Sequence, residues 1–450
     1  MLLIYVNLRA GSKPVYHARM NSQYDRQSLA TDIQDRFLRY VRVHTTSDRH
    51  GSETPSSSRQ FGLAHMLAEE IRSMGIDDVT VTEYCYVIAR LPASPGVDSP
   101  ALALLAHMDT APDSSGENVN PQVWESYDGS VLRIGNGLEL DPAEYPDLLD
   151  FVGETIITTD GTTLLGADDK AGVAEIMAAV RILNSTPELA HPEIEIIFTP
   201  DEEIGRGVDK LPLQELRSRF GYTMDGGKEG SIEAECFSAY AVTVEIAGYV
   251  IHPGSARGKM VNAVALAGRY LSMVPQTESP ETTDGRDGFY CPVEIRGDYG
   301  KATIDFIIRD FEHDEVKRRI AMLEQLGTAL QHAYPRSTVT VSSRKQYLNM
   351  RQEIDKYPFV LDLVTRAVEA TGVAPVLEPI RGGTDGARLT ELGMPTPNIF
   401  AGGLNFHGPY EWIPVRAMVR ATETILNLVQ LWSREVSGDS PVPQLHPERQ

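Results

Sequence analysis

The stretch that most constrains this chain is Ala101–Thr110, ALALLAHMDT. It is a short apolar run that stops abruptly at His-Met-Asp. Such a run reads as a strand buried on both faces, the kind a parallel sheet flanked by helices requires. Open α/β sheets form their sites outside the carboxyl ends of the strands. His107 and Asp109 stand at such an end, two residues apart, so on a strand both side chains face the same way.

Other segments repeat the pattern. Strands are expected at 78–82, 86–91, 155–159 and 222–225. Glu193–Thr199 turns from alternation into a continuous apolar run and ends at Pro-Asp-Glu-Glu. An Ala-rich helix over Asp168–Leu183 is entered through GADDKAG. Ala111–Tyr145 reads as a long polar excursion with Asn-Gly and Asp-Gly turns. Strand and helix alternate throughout this half, which predicts an α/β class, a sheet with flanking helices.

After about residue 238 the period changes. Tyr240–Ala247 and Thr303–Arg309 alternate cleanly, as half-exposed strands do. Helices are expected over Met260–Met273 and His313–Tyr334, and a strand over Thr338–Ser342. This is a βαββαβ-like pattern, a smaller α+β domain inserted in the first. At 450 residues the chain is long enough for two such cores. The expected boundaries are an N-terminal extension at 1–28, a catalytic domain at 29–237 and 350–436, the inserted lid at 238–349 and a polar tail at 437–450.

The formal net charge of −22 argues against nucleic acid or an anionic membrane as partner. Cys85, Cys236 and Cys291 are odd in number and widely spaced, with no CxxC, so a reducing cytoplasm is the expected location. No apolar run reaches the length of a membrane span.

The chemistry-bearing residues are His107, Asp109, Asp168, Asp169, Glu202, Glu203, Asp225 and His407. Each follows an apolar stretch or lies in a Gly-rich turn. Taken singly they read as caps and hydrogen-bonded structural residues. Together they form a mixed N/O set suited to Zn²⁺, Mn²⁺ or Co²⁺. A two-metal centre needs a shared carboxylate and a general base that is not itself a ligand. Adjacent Glu202 and Glu203 can divide those roles, and Asp109 can hold the imidazole of His107.

In order, the motifs are HMDT, TTDGTTLLGADDKAG, FTPDEEIG, YTMDGG, IHPGSARGKMVNA, IIRDF, PIRGGTDGA and NFHG. Over about residues 30–435 this series resembles the M20 metallopeptidase family, in its tripeptide-aminopeptidase branch. The resemblance implies a zinc-peptidase-like fold, a mixed sheet with flanking helices plus a lid that commonly carries homodimer contacts. It implies two Zn²⁺ per subunit, with Co²⁺ or Mn²⁺ as substitutes. His107 and Asp225 match ligands of the first zinc, Glu203 and His407 ligands of the second, and Asp168 the bridging carboxylate. Asp109 matches the acid that orients His107, and Glu202 the general base. In the lid, His252 matches an oxyanion stabiliser and Arg309 the residue that holds the substrate carboxylate. Arg381 is a further candidate for that task. The implied substrates are small peptides, tripeptides above all. The same centre also serves dipeptidases, carboxypeptidases and N-acyl amino acid deacylases of the family. A metal-binding relative without catalysis is the alternative of another class, and the presence of both Glu202 and the full ligand set argues against it.

Overall fold

The computed structural model describes residues 24–446. The chain divides into two compact units, an α/β unit and a smaller α+β unit.

The first unit contains the residues up to 232, then 357–377, then those from 392 onward. Its sheet runs, in spatial order, Val79–Val81, Val87–Leu91, Ile194–Thr199, Leu102–His107, Phe220–Gly226, Asn398–Phe400, Ser231–Glu233 and Val376–Leu377. The first two strands are antiparallel to their neighbours and the middle ones are parallel. The strand Leu102–His107 lies near the centre, and all its residues are buried. That is why its sequence shows no alternation: both faces are buried, one of them beneath the helix Ala167–Ser185.

Register decides where the chemistry gathers. Leu102 pairs with both Ile194 and Phe220, and His107 with Thr199. Three parallel strands therefore end at one edge of the sheet. There the chain emerges as His107-Met-Asp109, as Thr199-Pro-Asp-Glu-Glu and as Asp225.

The helix Ala167–Ser185 packs across these strands with most of its residues buried. Its small residues let it approach closely. A Cβ on Gly172 would stand 2.5 Å from the carbonyl oxygen of Met224 on the strand beneath. The helices Arg26–Tyr40 and Val415–Glu435 pack beside it. Phe220, Tyr357, Phe359 and Trp432 close the core as edge-on aromatic pairs, each worth roughly 0.5–1.5 kcal/mol beyond its buried area.

One buried residue works against this core. Glu175 is fully buried in the helix, and neither carboxylate oxygen has a hydrogen-bond partner. Burial holds its pKa well above the usual 4.5, so the folded protein keeps it protonated. A carboxyl with a raised folded pKa contributes its full stability below the unfolded value and loses it as pH rises towards the folded one. Glu175→Gln should therefore raise the melting temperature at pH 8 by a few degrees and change it little at pH 5. Calorimetric scans at the two pH values test this, and a gain of the same size at both would refute it.

The polar excursion after Ala111 is more ordered than its composition suggests. Gln122–Trp124 joins Ile156–Thr158 and Trp412–Pro414 in a small antiparallel sheet. Leu132–Gly135 and Leu138–Leu140 form a hairpin over Asn136-Gly137, both in the left-handed conformation that such a turn requires.

The second unit comprises residues 233–356 and 378–391. Its antiparallel sheet has the order Phe289–Gly297, Lys301–Asp310, Ser238–Ala247, Thr338–Tyr347. Val242, Val244, Ile246, Ile304, Phe306 and Ile308 face the helices Ala263–Met273 and His313–Ala333. The strand Phe289–Gly297 is not legible in the sequence. It is the edge strand, mostly exposed, with a register shift after Pro292, so no hydrophobic alternation marks it.

Residues 350–356 and 378–391, expected with the first unit, cluster with the second. Ile380 bridges to Cys236, and its carbonyl accepts from the amide of Phe237. The expected N-terminal extension falls largely on 1–23, outside the described residues. Residues from Arg26 already belong to a helix, capped by Asp25. The C-terminal tail is seated as far as His446, whose amide donates to Leu392. Among the described residues, no helix is long and apolar enough to cross a membrane.

Candidate metal centre

Asp168 stands between two imidazoles. Its Oδ1 lies 2.9 Å from Nε2 of His107 and its Oδ2 lies 3.3 Å from Nε2 of His407. Two more carboxylates flank the group. Asp225 Oδ1 is 3.5 Å from Nε2 of His107, and Glu203 Oε2 is 3.1 Å from Nε2 of His407. His107 is 2% and Asp225 9% exposed at the side chain. Donor atoms of His107, Asp168 and Glu203 lie within 4.8 Å of one another, as do those of His107, Asp169 and Asp225.

The second imidazole nitrogens show what this arrangement is built for. Nδ1 of His107 is 3.1 Å from the carbonyl oxygen of Asp109, so the ring proton belongs there and Nε2 presents a lone pair. That lone pair meets a carboxylate, which is an acceptor only. Acceptor against acceptor is satisfied only by a positive centre between them, a proton or a metal cation. On the second side, Glu203 Oε1 is buried with no hydrogen-bond partner. Three largely buried carboxylates, the buried imidazole of His107 and the exposed one of His407 converge here, a set that fits a pair of divalent cations.

The electrostatics agree. Burial, reinforced by the charge of Asp168, pushes Glu203 above its usual range, and burial raises Asp225. Burial would also raise Asp168, but the two imidazoles outweigh it and hold that carboxyl low. Asp168 and Glu203 in turn raise His407. A cation would take over the compensating role that the imidazoles now share.

Asp109 does more than aim His107. Its Oδ1 is 3.5 Å from Nδ1 of that ring, farther than its own carbonyl oxygen. The carboxylate is mainly spent on the turn that carries the two glutamates. Oδ1 accepts from the amide of Glu202 at 3.0 Å and Oδ2 from that of Glu203 at 3.2 Å. Ser47 donates to Oδ2 as well. The turn Glu202–Ile204 is held from the other side by Asp201, a buried residue with φ 57° that accepts from Ser56 and Gln60. Ser47 and Ser56 also line a groove of about 680 Å³.

Two further acids hold the centre together. The sequence places Asp169 in the acidic set without assigning it a role. It ties the strand to the helix: Oδ2 accepts from the amide of His107, and Oδ1 from that of Gly172. Its signal was the cap position of GADDKAG. Glu411 had no role at all. It is buried and accepts four backbone N–H groups, those of Leu165 to Asp168. Its only trace in the sequence is its place four residues after His407.

In the second unit, His252 is exposed and its Nδ1 accepts from the amide of Gly254 at 3.1 Å. A neutral ring therefore carries its proton on Nε2, as a donor. Arg309 has no carboxylate partner among the described residues. Its Nη1 donates to the carbonyl of Arg381 at 3.0 Å, and its Nε is buried without an acceptor. Neighbouring Asp310 is taken by Arg319. Arg381 itself has partners. It donates to both oxygens of Thr283 and to the carbonyl of Asp287, and its guanidinium lies against the edge-on pair of rings Phe237 and Phe289. Arg381, the further candidate for holding the substrate carboxylate, thus has its guanidinium bound within its own loop region. The glycines after it allow that loop to close: a Cβ on Gly383 would lie 2.1 Å from the ring of Tyr347.

Residues 158–431 match the family model described as Peptidase family M20/M25/M40. Peptidase T of Clostridium perfringens (strain 13 / Type A) is 45% identical over 403 residues, covering 90% of this chain and 99% of the relative. Peptidase T of Geobacillus thermodenitrificans is 44% identical over 411 residues, covering 91% and 100%. Among solved structures, a tripeptidase from Staphylococcus aureus shares the fold at a TM-score of 0.70 and 19% identity, over 90% of this chain and 99% of its own. The aminopeptidase PepT from Bacillus cereus does so at 0.66 and 22%, over 90% and 98%. A Bacillus subtilis protein described as a dinuclear metal binding peptidase does so at 0.61 and 15%, over 91% and 100%. By the family model and by relatives more than two-fifths identical along nine-tenths of its length, this chain belongs to peptidase family M20/M25/M40 and is a peptide hydrolase.

Proposed function

We propose that this enzyme is a dizinc aminopeptidase that releases the N-terminal residue of tripeptides. The observation that carries the metal part is Asp168, with one oxygen turned to each of two imidazoles. The substrate part is supported by the name that its relatives above 40% identity share.

His107, Asp168 and Asp225 would hold one ion, and His407, Asp168 and Glu203 the other. Zn²⁺ suits this N/O set, with Co²⁺ or Mn²⁺ as substitutes. When bound, such a pair supplies Lewis acidity towards the scissile carbonyl and a water of lowered pKa. The remaining work falls to the protein. Glu202 takes a proton from the attacking water and returns it to the leaving amine. The turn that Asp109 caps holds the Glu202 backbone for this transfer. Nε2–H of His252 donates to the developing oxyanion. Arg309 pairs with the C-terminal carboxylate of the peptide.

A panel of free and N-blocked di-, tri- and tetrapeptides, each with and without chelator, tests the reading. Release of the first residue from free tripeptides, lost with chelator and restored by Zn²⁺, is expected. Cleavage confined to N-acylated substrates would instead make the enzyme a deacylase.

A further inference from the structure

We propose that Glu411 is a positioning residue for the metal centre: its carboxylate holds the backbone that presents Asp168 and ties it to the loop that carries His407. The inference rests on the two-metal reading above.

Glu411 is 1% exposed. Oε2 accepts from the amides of Leu165 and Gly166 at 2.7 and 2.9 Å. Oε1 accepts from those of Ala167 and Asp168 at 2.6 and 3.2 Å. Four consecutive N–H groups thus converge on one carboxylate at the start of the helix Ala167–Ser185. These are the groups a helix N-terminus leaves without partners, and together they favour an anion. The protein supplies that anion from its own chain. No basic side chain makes an ion pair with Glu411 among the described residues; the four amides are its direct partners, and buried Lys170 acts on it only through space.

What the carboxylate fixes is the conformation from which Asp168 projects. Asp168 has ψ 104°, outside the helical range although within the helix bounds. The amides of a segment bent this way are not paired along the helix, and Glu411 takes four of them.

Glu411 also lies four residues after His407. Beyond it, Trp412–Pro414 is anchored to Ile156–Thr158, and the amide of Val415 donates to Thr155. The His407 loop is therefore pinned at its far end to the backbone beneath Asp168. Asp168 and His407, 239 residues apart in sequence, come within 3.3 Å. One buried side chain sets both the orientation of the shared carboxylate and the approach of the second imidazole.

Glu411→Gln tests this. The amide is nearly isosteric, but its single oxygen serves one pair of N–H groups and its NH₂ faces the other pair. Zn²⁺ and Co²⁺ binding to the metal-stripped protein is measured by titration calorimetry, with the visible spectrum of the Co²⁺ form as a second readout. The expected result is cation affinity reduced about 10- to 100-fold, the range for residues that orient metal ligands. The Co²⁺ spectrum should change, while KM stays near the wild-type value. Wild-type affinity and spectrum in a folded Glu411→Gln protein would overturn the inference while leaving the two-metal reading intact. A wild-type protein that binds neither cation would overturn both. Should Glu411→Gln fail to fold, Glu411→Asp takes its place in the same titration. It keeps the charge but lacks the reach to serve both pairs of amides, so unchanged affinity there counts equally against the inference.

Discussion

Glu202→Ala is expected to lower kcat by about three to four orders of magnitude, the upper range for removal of a general base, while the protein still binds its full complement of divalent cations. The two neighbouring glutamates differ in environment. The side chain of Glu203 is 6% exposed and turned towards His407, with one oxygen buried and unpartnered. Glu202 is half-buried and sits one residue earlier on the same tight turn. The turn is held through its backbone, because Asp109 accepts the amides of both residues. Truncating either side chain therefore leaves the turn in place. The paired variant Glu203→Ala should do the reverse: cation binding falls first and activity follows. Metal content and kcat are measured on the same samples. Loss of cations in Glu202→Ala, or turnover within tenfold of wild type with the metal sites filled, would sink the assignment.

How much of this site could be read from sequence depends on what held each residue in place. His107, Asp168, Glu203, Asp225 and His407 stand at the ends of strands or in Gly-rich turns, and a strand end is visible as the place where an apolar run stops. Parallel register does the rest, since His107 pairs with Thr199 and the segments beyond them emerge together. The residues that position these groups were less visible. Asp109 could be picked out by its spacing from His107, but its grip on the Glu202 turn depends on Ser47 and on two amides contributed 93 and 94 residues later. Glu411 leaves almost no mark, because its partners are backbone amides, which no side-chain pattern records. The same limit applied to the edge strand Phe289–Gly297 and to residues 378–391. Their places follow from main-chain pairing rather than from any stripe of apolar residues.

Arg309→Ala is expected to cut kcat/KM for tripeptides by about two orders of magnitude, with the loss concentrated on peptides that end in a free carboxylate. Arg309 lies on the strand Lys301–Asp310, and among the described residues its guanidinium donates to the carbonyl of Arg381. A buried Nε without an acceptor is costly, and a fold that retains one gains if something else completes it. A carboxylate matches the fork of donors that remains. Truncating one partner of such a pair costs about 2–5 kcal/mol, which spans roughly 30-fold to several thousand-fold at 1.36 kcal/mol per decade. C-amidated tripeptides isolate the interaction. Wild-type enzyme should process them poorly by a similar factor, and Arg309→Ala should treat the free and amidated forms alike. Equal losses on both forms would mean that Arg309 only supports the sheet. Arg381→Ala provides the contrast. Its guanidinium is bound to Thr283 and Asp287 and lies against Phe237 and Phe289. Its effect should therefore pass through the position of Arg309 and be smaller. The selectivity for a free carboxylate should then persist in Arg381→Ala and vanish in Arg309→Ala, which separates the residue that binds the peptide from the one that holds the loop around it.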